Sequence, residues 1–243
     1  MRAVLERAGY VLWKRDFIRY GVLPFVDIQR LSEEFGRKIN VFFDVGANVG
    51  QTSQLALTSF PGAAVWAFEP VPEVFDKLSS VRSTRFFPHQ VALGDKEGEV
   101  ALYSFEEDTA TLARSLVPNA RFPVRYGLHC SEAGKVRCRT IDSFCAEAGI
   151  EKIDVLKIDV EGFELSVLKG AERMFRMGRI GFVYLEFNDL LTKDGTTGGS
   201  LFPIAEYLSQ FGLKYATSYT DFIHADHEMF LCANALFALP RNT

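Results

Sequence analysis

Asn40-Val41-Phe42-Phe43-Asp44-Val45-Gly46-Ala47-Asn48-Val49-Gly50 decides the fold. Its first half is a short apolar run closed by an acid, the pattern of a buried strand. Its second half, Gly46-x-Asn48-x-Gly50, supplies residues that tolerate left-handed backbone, which a tight turn requires. A helix predicted over residues 52–59 follows. Strand, turn and helix together aim unpaired backbone N–H groups at a ligand above the turn.

Working outward, the same rhythm repeats. Residues 64–69 form a second apolar run, and Pro72 stands where a helix would open. Residues 85–93 are expected as a third strand, disturbed by Pro88. Residues 98–105 and 136–139 alternate like exposed strands, with a long loop or insertion expected over 106–134. Thr140 is placed to cap a helix running to Glu147. A fourth core strand is predicted over 153–159, a helix over 163–176 and a fifth strand over 180–187. A helix over 202–211 ends at Gly212, and two last strands cover 213–219 and 230–239. Strands alternating with helices predict an α/β fold whose mostly parallel sheet has helices on both faces. Residues 1–37 look helical: Leu5, Ala8, Leu12, Trp13 and Phe17 share one face, and Pro24 opens a second helix. The chain is therefore divided into an N-terminal helical extension, 1–39, and one domain, 40–243.

Composition narrows the class. The 243 residues are 48% hydrophobic and 24% charged, a balance that supports one sizeable core. The net charge of −4 disfavours a nucleic-acid partner, because phosphate backbones bind clustered cations. No run approaches the roughly 18 apolar residues of a membrane span. Cys130, Cys138, Cys145 and Cys232 include no CxxC pair, so they are expected as reduced thiols of a cytoplasmic protein. Nothing in the pattern sets the oligomeric state.

Glu69 ends the second strand nineteen positions after Gly50. An acid there can accept hydrogen bonds from the ribose hydroxyls of a nucleoside cofactor. Both a dinucleotide and S-adenosylmethionine fit that geometry. Asp44 would repel a pyrophosphate but attract an ammonium group, and Asn48 crowds the place of a middle glycine. Both features favour the methyl donor. A tight turn with a surface acid is the plainer alternative.

The set of motifs resembles the FkbM family of S-adenosylmethionine-dependent methyltransferases. It is carried by Phe43–Thr52, then Phe68-Glu69-Pro70, Val91-Ala92-Leu93-Gly94-Asp95 and Thr140-Ile141-Asp142. Leu156-Lys157-Ile158-Asp159-Val160-Glu161-Gly162-Phe163-Glu164 follows, with Val167-Leu168-Lys169-Gly170-Ala171 and Asn234-Ala235-Leu236-Phe237 after it. The resemblance covers about residues 40–238. It implies a Rossmann-like class I methyltransferase sheet of seven strands, the last one antiparallel, and O-methylation of a hydroxyl on a sugar, glycan or natural product. By position it assigns Asp44, Gly46, Asn48, Gly50, Gln51 and Thr52 to the cofactor loop and Glu69 to the ribose. Pro70 and Ala92 would flank the adenine, and Asp159 would lie beside the methionine tail and the acceptor.

Asp159, Glu161 and Glu164 cluster after the fourth strand, and Glu186 and Asn188 end the fifth. Ligands bind at the carboxyl ends of parallel strands. Asp159, Glu161 or Glu186 can act as the general base toward an acceptor hydroxyl. Alternatively, Asp159, Glu186 and Asn188 are oxygen ligands of a Mg2+-type ion, a reading that rests on fold analogy. Glu164 is expected to charge the start of the next helix. His224-x-x-His227 with Asp221, Asp226 and Glu228 is read as a solvated loop, and His129 as a residue of the variable insertion. Phe105, Phe122, Tyr126 and Phe187 are expected to pack. A nicotinamide-dependent oxidoreductase and a non-catalytic cofactor-binding scaffold are the rival functions.

Overall fold

A computed structural model describes residues 18–105, 114–116, 130–187, 200–224 and 230–240. The elements are α1 (Pro24–Glu34), β1 (Val41–Val45), α2 (Gln51–Ser59), β2 (Ala64–Phe68), α3 (Pro72–Leu78) and β3 (Phe86–His89). They continue with β4 (Ala92–Leu93), β5 (Gly98–Phe105), β6 (Arg114–Ser115), β7 (Cys130–Arg139), α4 (Ile141–Ala148) and β8 (Ile153–Ile158). The last are α5 (Glu164–Lys169), α6 (Glu172–Arg176), β9 (Ile180–Phe187), α7 (Leu201–Ser209), β10 (Lys214–His224) and β11 (Phe230–Ala238).

Seven strands form the main sheet in the order β10-β11-β9-β8-β1-β2-β3. The pairs β1–β2, β1–β8, β2–β3 and β8–β9 are parallel, whereas β11 runs antiparallel to β9 and to β10. This is the mostly parallel α/β sheet expected, with its reversed last strand. Successive side chains of a strand point to opposite faces, so Phe43 packs with Phe144, Val167, Phe175 and Leu208. Phe42 packs on the other face with Phe25, Ile28, Ala56 and Leu78. Helices thus cover both faces. Phe25 stacks 5.8 Å from Phe42 and 5.6 Å from Phe60, which makes α1 a layer of the same core. The buried Asp27 of α1 accepts from the Tyr219 hydroxyl at 2.9 Å and from the Gly21 N–H at 2.8 Å. Residues 1–17 of the expected extension lie outside the described residues.

Four expectations change. The single strand 85–93 is two: β3 pairs with β2, and β4 joins a second sheet, β4-β7-β5-β6. Pro88 is tolerated because β3 is the outer strand of the main sheet. β7 begins at Cys130, inside the segment expected as a loop, because β5 offers it an antiparallel partner far away in sequence. The helix 163–176 breaks at Gly170, whose Cβ would stand 2.0 Å from the Gly94 carbonyl oxygen. Asp142 then caps α6 by accepting from the N–H groups of Arg173 and Met174 at 2.8 and 3.0 Å. Finally, β10 extends to His224, beyond the expected end at 219.

The carboxyl ends of β1, β2, β8 and β9 lie along one edge of the main sheet. The second sheet brings Leu102 against Val71 and Val74 beside that edge. No helix among the described residues is long and apolar enough to cross a membrane.

Candidate active site

The turn after β1 is fixed from two sides. Gly46 and Ala47 donate their N–H groups to the Phe68 carbonyl, each at 3.0 Å, and Asp159 donates its own to the Val45 carbonyl at 3.0 Å. Gly46 has φ 72, and a Cβ there would stand 1.8 Å from the Asp159 carbonyl oxygen. Only glycine fits. Asn48 (φ 49) and Glu161 (φ 54) are the non-glycine residues of positive φ among the described residues. Both line one cleft. Left-handed backbone at such residues is unfavourable and concentrates at functional sites.

That cleft is lined by polar and apolar residues together. Gly46, Asn48, Glu69, Asp159 and Glu161 form the polar part, and Pro70, Val91, Ala92, Leu93, Leu102 and Leu116 the apolar part. Pro70 and Ala92, expected from the resemblance to flank an adenine, both line this cleft. Glu69 is buried. Its Oε2 accepts from the Asn48 N–H at 3.1 Å and its Oε1 from the Val71 N–H at 2.9 Å. Burial pushes its carboxyl above the ordinary range, while those two N–H groups and Lys157 pull it back and Asp44 adds to the rise. Each oxygen keeps a lone pair for a further donor.

Asp44 is not at the cleft surface. It is fully buried, with Oδ2 accepting from the Ser53 hydroxyl at 2.6 Å and Oδ1 3.0 Å from Lys157 Nζ. The expected attraction for an ammonium group is met inside the chain, by a lysine. Gly50 acts one step back: it opens α2 with φ 92, and a Cβ there would press on Leu78 and Val81 at 3.0 and 3.1 Å. Gln51 and Thr52 are the first residues of α2 and do not line the cleft.

Oxygens of Asp159, Glu161 and Glu186 lie within 4.8 Å of one another at the ends of β8 and β9. The Asp159 side chain is 40% exposed and sits 3.6 Å from Lys157 Nζ. Glu161 is pushed above the ordinary carboxylate range by burial and by Asp159 and Glu164. Glu186 is pushed up by burial and by Asp159 and Glu161. The cluster can share a proton; Asn188, named with Asp159 and Glu186 in the alternative reading as a cation ligand, lies outside the described residues. Glu164 is fully buried and accepts from the N–H groups of Val160 and Gly162, both at 3.1 Å, so it shapes the loop. Burial raises it to about 7.

Two partners were not singled out from sequence. Lys157 donates to the Gly46 carbonyl at 3.0 Å besides pairing with Asp44. Its signal was a lysine between two apolar residues, Leu156 and Ile158, of a strand predicted for the core. Cys232 of β11 stands 3.0 Å from Glu186 Oε1. Cys138 and Cys145 are buried, and burial pushes the Cys145 thiol up to about 12, which leaves it inert. His89 stacks on Trp66 and Phe68 and is a packing residue, its pKa lowered by burial and by Arg139. The side chains of Phe105, Cys130, Asp221 and His224, and all of Phe122, Tyr126, His129, Asp226, His227 and Glu228, lie outside the described residues.

Residues 44–234 match the model of the methyltransferase FkbM domain. The 2-O-methyltransferase NoeI of Sinorhizobium fredii is 29% identical over 161 residues, 61% of this chain and 63% of that protein. The hexuronic acid methyltransferase AglP of Haloferax volcanii is 31% identical over 168 residues, 67% of this chain and 62% of that protein. The 31-O-demethyl-FK506 methyltransferase FkbM of Streptomyces tacrolimicus is 32% identical over 183 residues, 65% and 68% of the two chains. The matches with the first two relatives thus span less than two thirds of their length.

Proposed function

We propose methyl transfer from S-adenosylmethionine to a hydroxyl for this chain, which belongs to the family of proteins carrying the methyltransferase FkbM domain. The observation that carries the reading is the meeting of Glu69 with Asp159 and Glu161 in one cleft above the turn at Gly46. The donor set fits the cofactor. Glu69 is a ribose acceptor, Pro70, Ala92 and Leu102 give an adenine its apolar walls, and the acids Asp159 and Glu161 suit a cation.

S-adenosylmethionine, when bound, supplies a methyl group already activated by a sulfonium charge. The chain's residues orient, and they take up a proton. Alignment of the acceptor oxygen with the methyl carbon is the larger contribution. One ionised carboxylate of the cluster formed by Asp159, Glu161 and Glu186 accepts the single proton that the acceptor hydroxyl loses as its oxygen bonds to carbon. With S-adenosylmethionine bound, an ionised carboxylate would balance its sulfonium charge before transfer, and the same carboxyl, protonated, would leave the cleft's net charge unchanged afterwards.

We assign the acceptor to sugars, glycans or natural products, in line with the hexuronic acid and 31-O-demethyl-FK506 named for two of the relatives. A net charge of −4 and an acidic acceptor side favour such a small molecule over a nucleic acid. The buried thiols of Cys138 and Cys145 suit a reducing, cytoplasmic setting. A second reading gives the three carboxylates a Mg2+ ion, favoured by their mutual spacing within 4.8 Å. Against it, Cys232 already contacts Glu186 and Lys157 already faces Asp159. Incubation with S-adenosylmethionine and a panel of sugar and natural-product hydroxyls, reading S-adenosylhomocysteine, tests the activity. Turnover that survives EDTA supports the carboxylate base; loss restored by Mg2+ supports the metal.

A further inference from the structure

Lys157 lies in the middle of the main sheet, buried, on a strand whose other residues are Ile153, Asp154, Val155, Leu156 and Ile158. A buried ammonium is unfavourable unless oxygens replace its water. Four do so: Asp44 Oδ1 at 3.0 Å, the Gly46 carbonyl at 3.0 Å, the Val45 carbonyl at 3.5 Å and Asp159 Oδ2 at 3.6 Å. Three of these belong to β1 and its turn, and the fourth belongs to the acid cluster.

We propose that Lys157 is a positioning residue that locks the cofactor turn to the acidic end of β8, so that one ammonium sets both sides of the cleft. The proposal rests on the reading of that cleft as the S-adenosylmethionine site. The contrast with Asp154 on the same strand supports it. Asp154 accepts from the N–H groups of Asn40 and Val41 at 2.8 and 3.0 Å and pairs with Lys152 at 2.5 Å. All of its partners lie at the opposite end of the sheet from the cleft, where it only joins β8 to the start of β1. Neutralising Asp44 would not require Lys157 to reach the Gly46 carbonyl or to face Asp159.

Its charge acts in the same direction. Burial opposes ionisation of Lys157, yet Asp44 and Asp159 more than offset this and hold it charged above the ordinary lysine range. That charge in turn favours the ionised forms of Glu69 and Glu161, which both line the cleft. The charged groups bearing on Glu161 are Asp159 and Lys157 of the β8 end, Glu164 of α5 and Glu186 of β9.

The test uses Lys157→Met and the double variant Asp44→Asn/Lys157→Met, which removes both buried charges together. S-adenosylmethionine binding is measured by calorimetry, and KM for S-adenosylmethionine is compared with kcat. A folded variant is expected to bind at least about tenfold more weakly, with KM rising in step. A folded double variant with wild-type affinity overturns the proposal. So does failure of both variants to fold, which would make the lysine a pin of the core. A wild-type chain that binds no S-adenosylmethionine instead sinks the cofactor reading, and this proposal with it.

Discussion

The Gly46 Cα and the Asp159 carbonyl approach so closely that a Cβ on Gly46 would stand 1.8 Å from that oxygen. The turn above β1 and the acid at the end of β8 are thus one packed unit. Gly46→Ala is expected to destabilise the chain by about 1–3 kcal/mol, from the clash and from φ 72 together. Gly62→Ala is the control, since nothing lies within 4 Å of a Cβ there. Urea unfolding of the two variants checks this; equal midpoints would contradict it.

Glu161 should trade stability for activity. It holds left-handed backbone at φ 54 and its ionised form is disfavoured by burial and neighbouring acids. Glu161→Gly is expected to leave stability unchanged or raise it by about 1 kcal/mol. The same change should slow methyl transfer at least about tenfold. A variant that is both less stable and fully active would remove Glu161 from the site.

Glu164 predicts a pH dependence of stability. Its carboxyl rises from 4.5 to about 7 on folding, through burial. The folded state therefore binds its proton more tightly than the unfolded state, and this contribution to stability falls as pH rises from about 4.5 to 7. Glu164→Gln keeps an oxygen for the N–H groups of Val160 and Gly162. Thermal unfolding against pH should flatten across that window in the variant. An unchanged slope would place the titration elsewhere.

These positions also show what a sequence can disclose. Residues 180–187 form β9 over the bounds expected, because a long apolar run leaves few alternatives. The turn residues and the acids at the strand ends were legible because each type is unusual where it stands. The attraction of Asp44 for an ammonium group was legible, but that Lys157 supplies one from β8 was not. Lys157 itself could not be placed, because a lysine between Leu156 and Ile158 is buried only if oxygens from β1 surround it, and that pairing is non-local. The glycine at 170 has the same origin: the Gly94 carbonyl, from another segment, lies where a Cβ would stand. Sheet order came from the resemblance, not from periodicity.

Glu69 carries two backbone N–H groups and, in the proposed complex, the ribose. Glu69→Gln should weaken S-adenosylmethionine binding by about 1.5–3 kcal/mol, one charged hydrogen bond's worth, and Glu69→Ala by more. Equilibrium dialysis with labelled cofactor checks the order. Wild-type affinity in Glu69→Ala would take the ribose away from this acid.

Calorimetric titration of the wild-type chain with S-adenosylmethionine, beside NADH as competitor for the same architecture, addresses the central claim most directly. Saturable one-to-one binding of S-adenosylmethionine, lost in Gly46→Ala and absent for NADH, is the predicted result. Binding of NADH without S-adenosylmethionine would contradict the account.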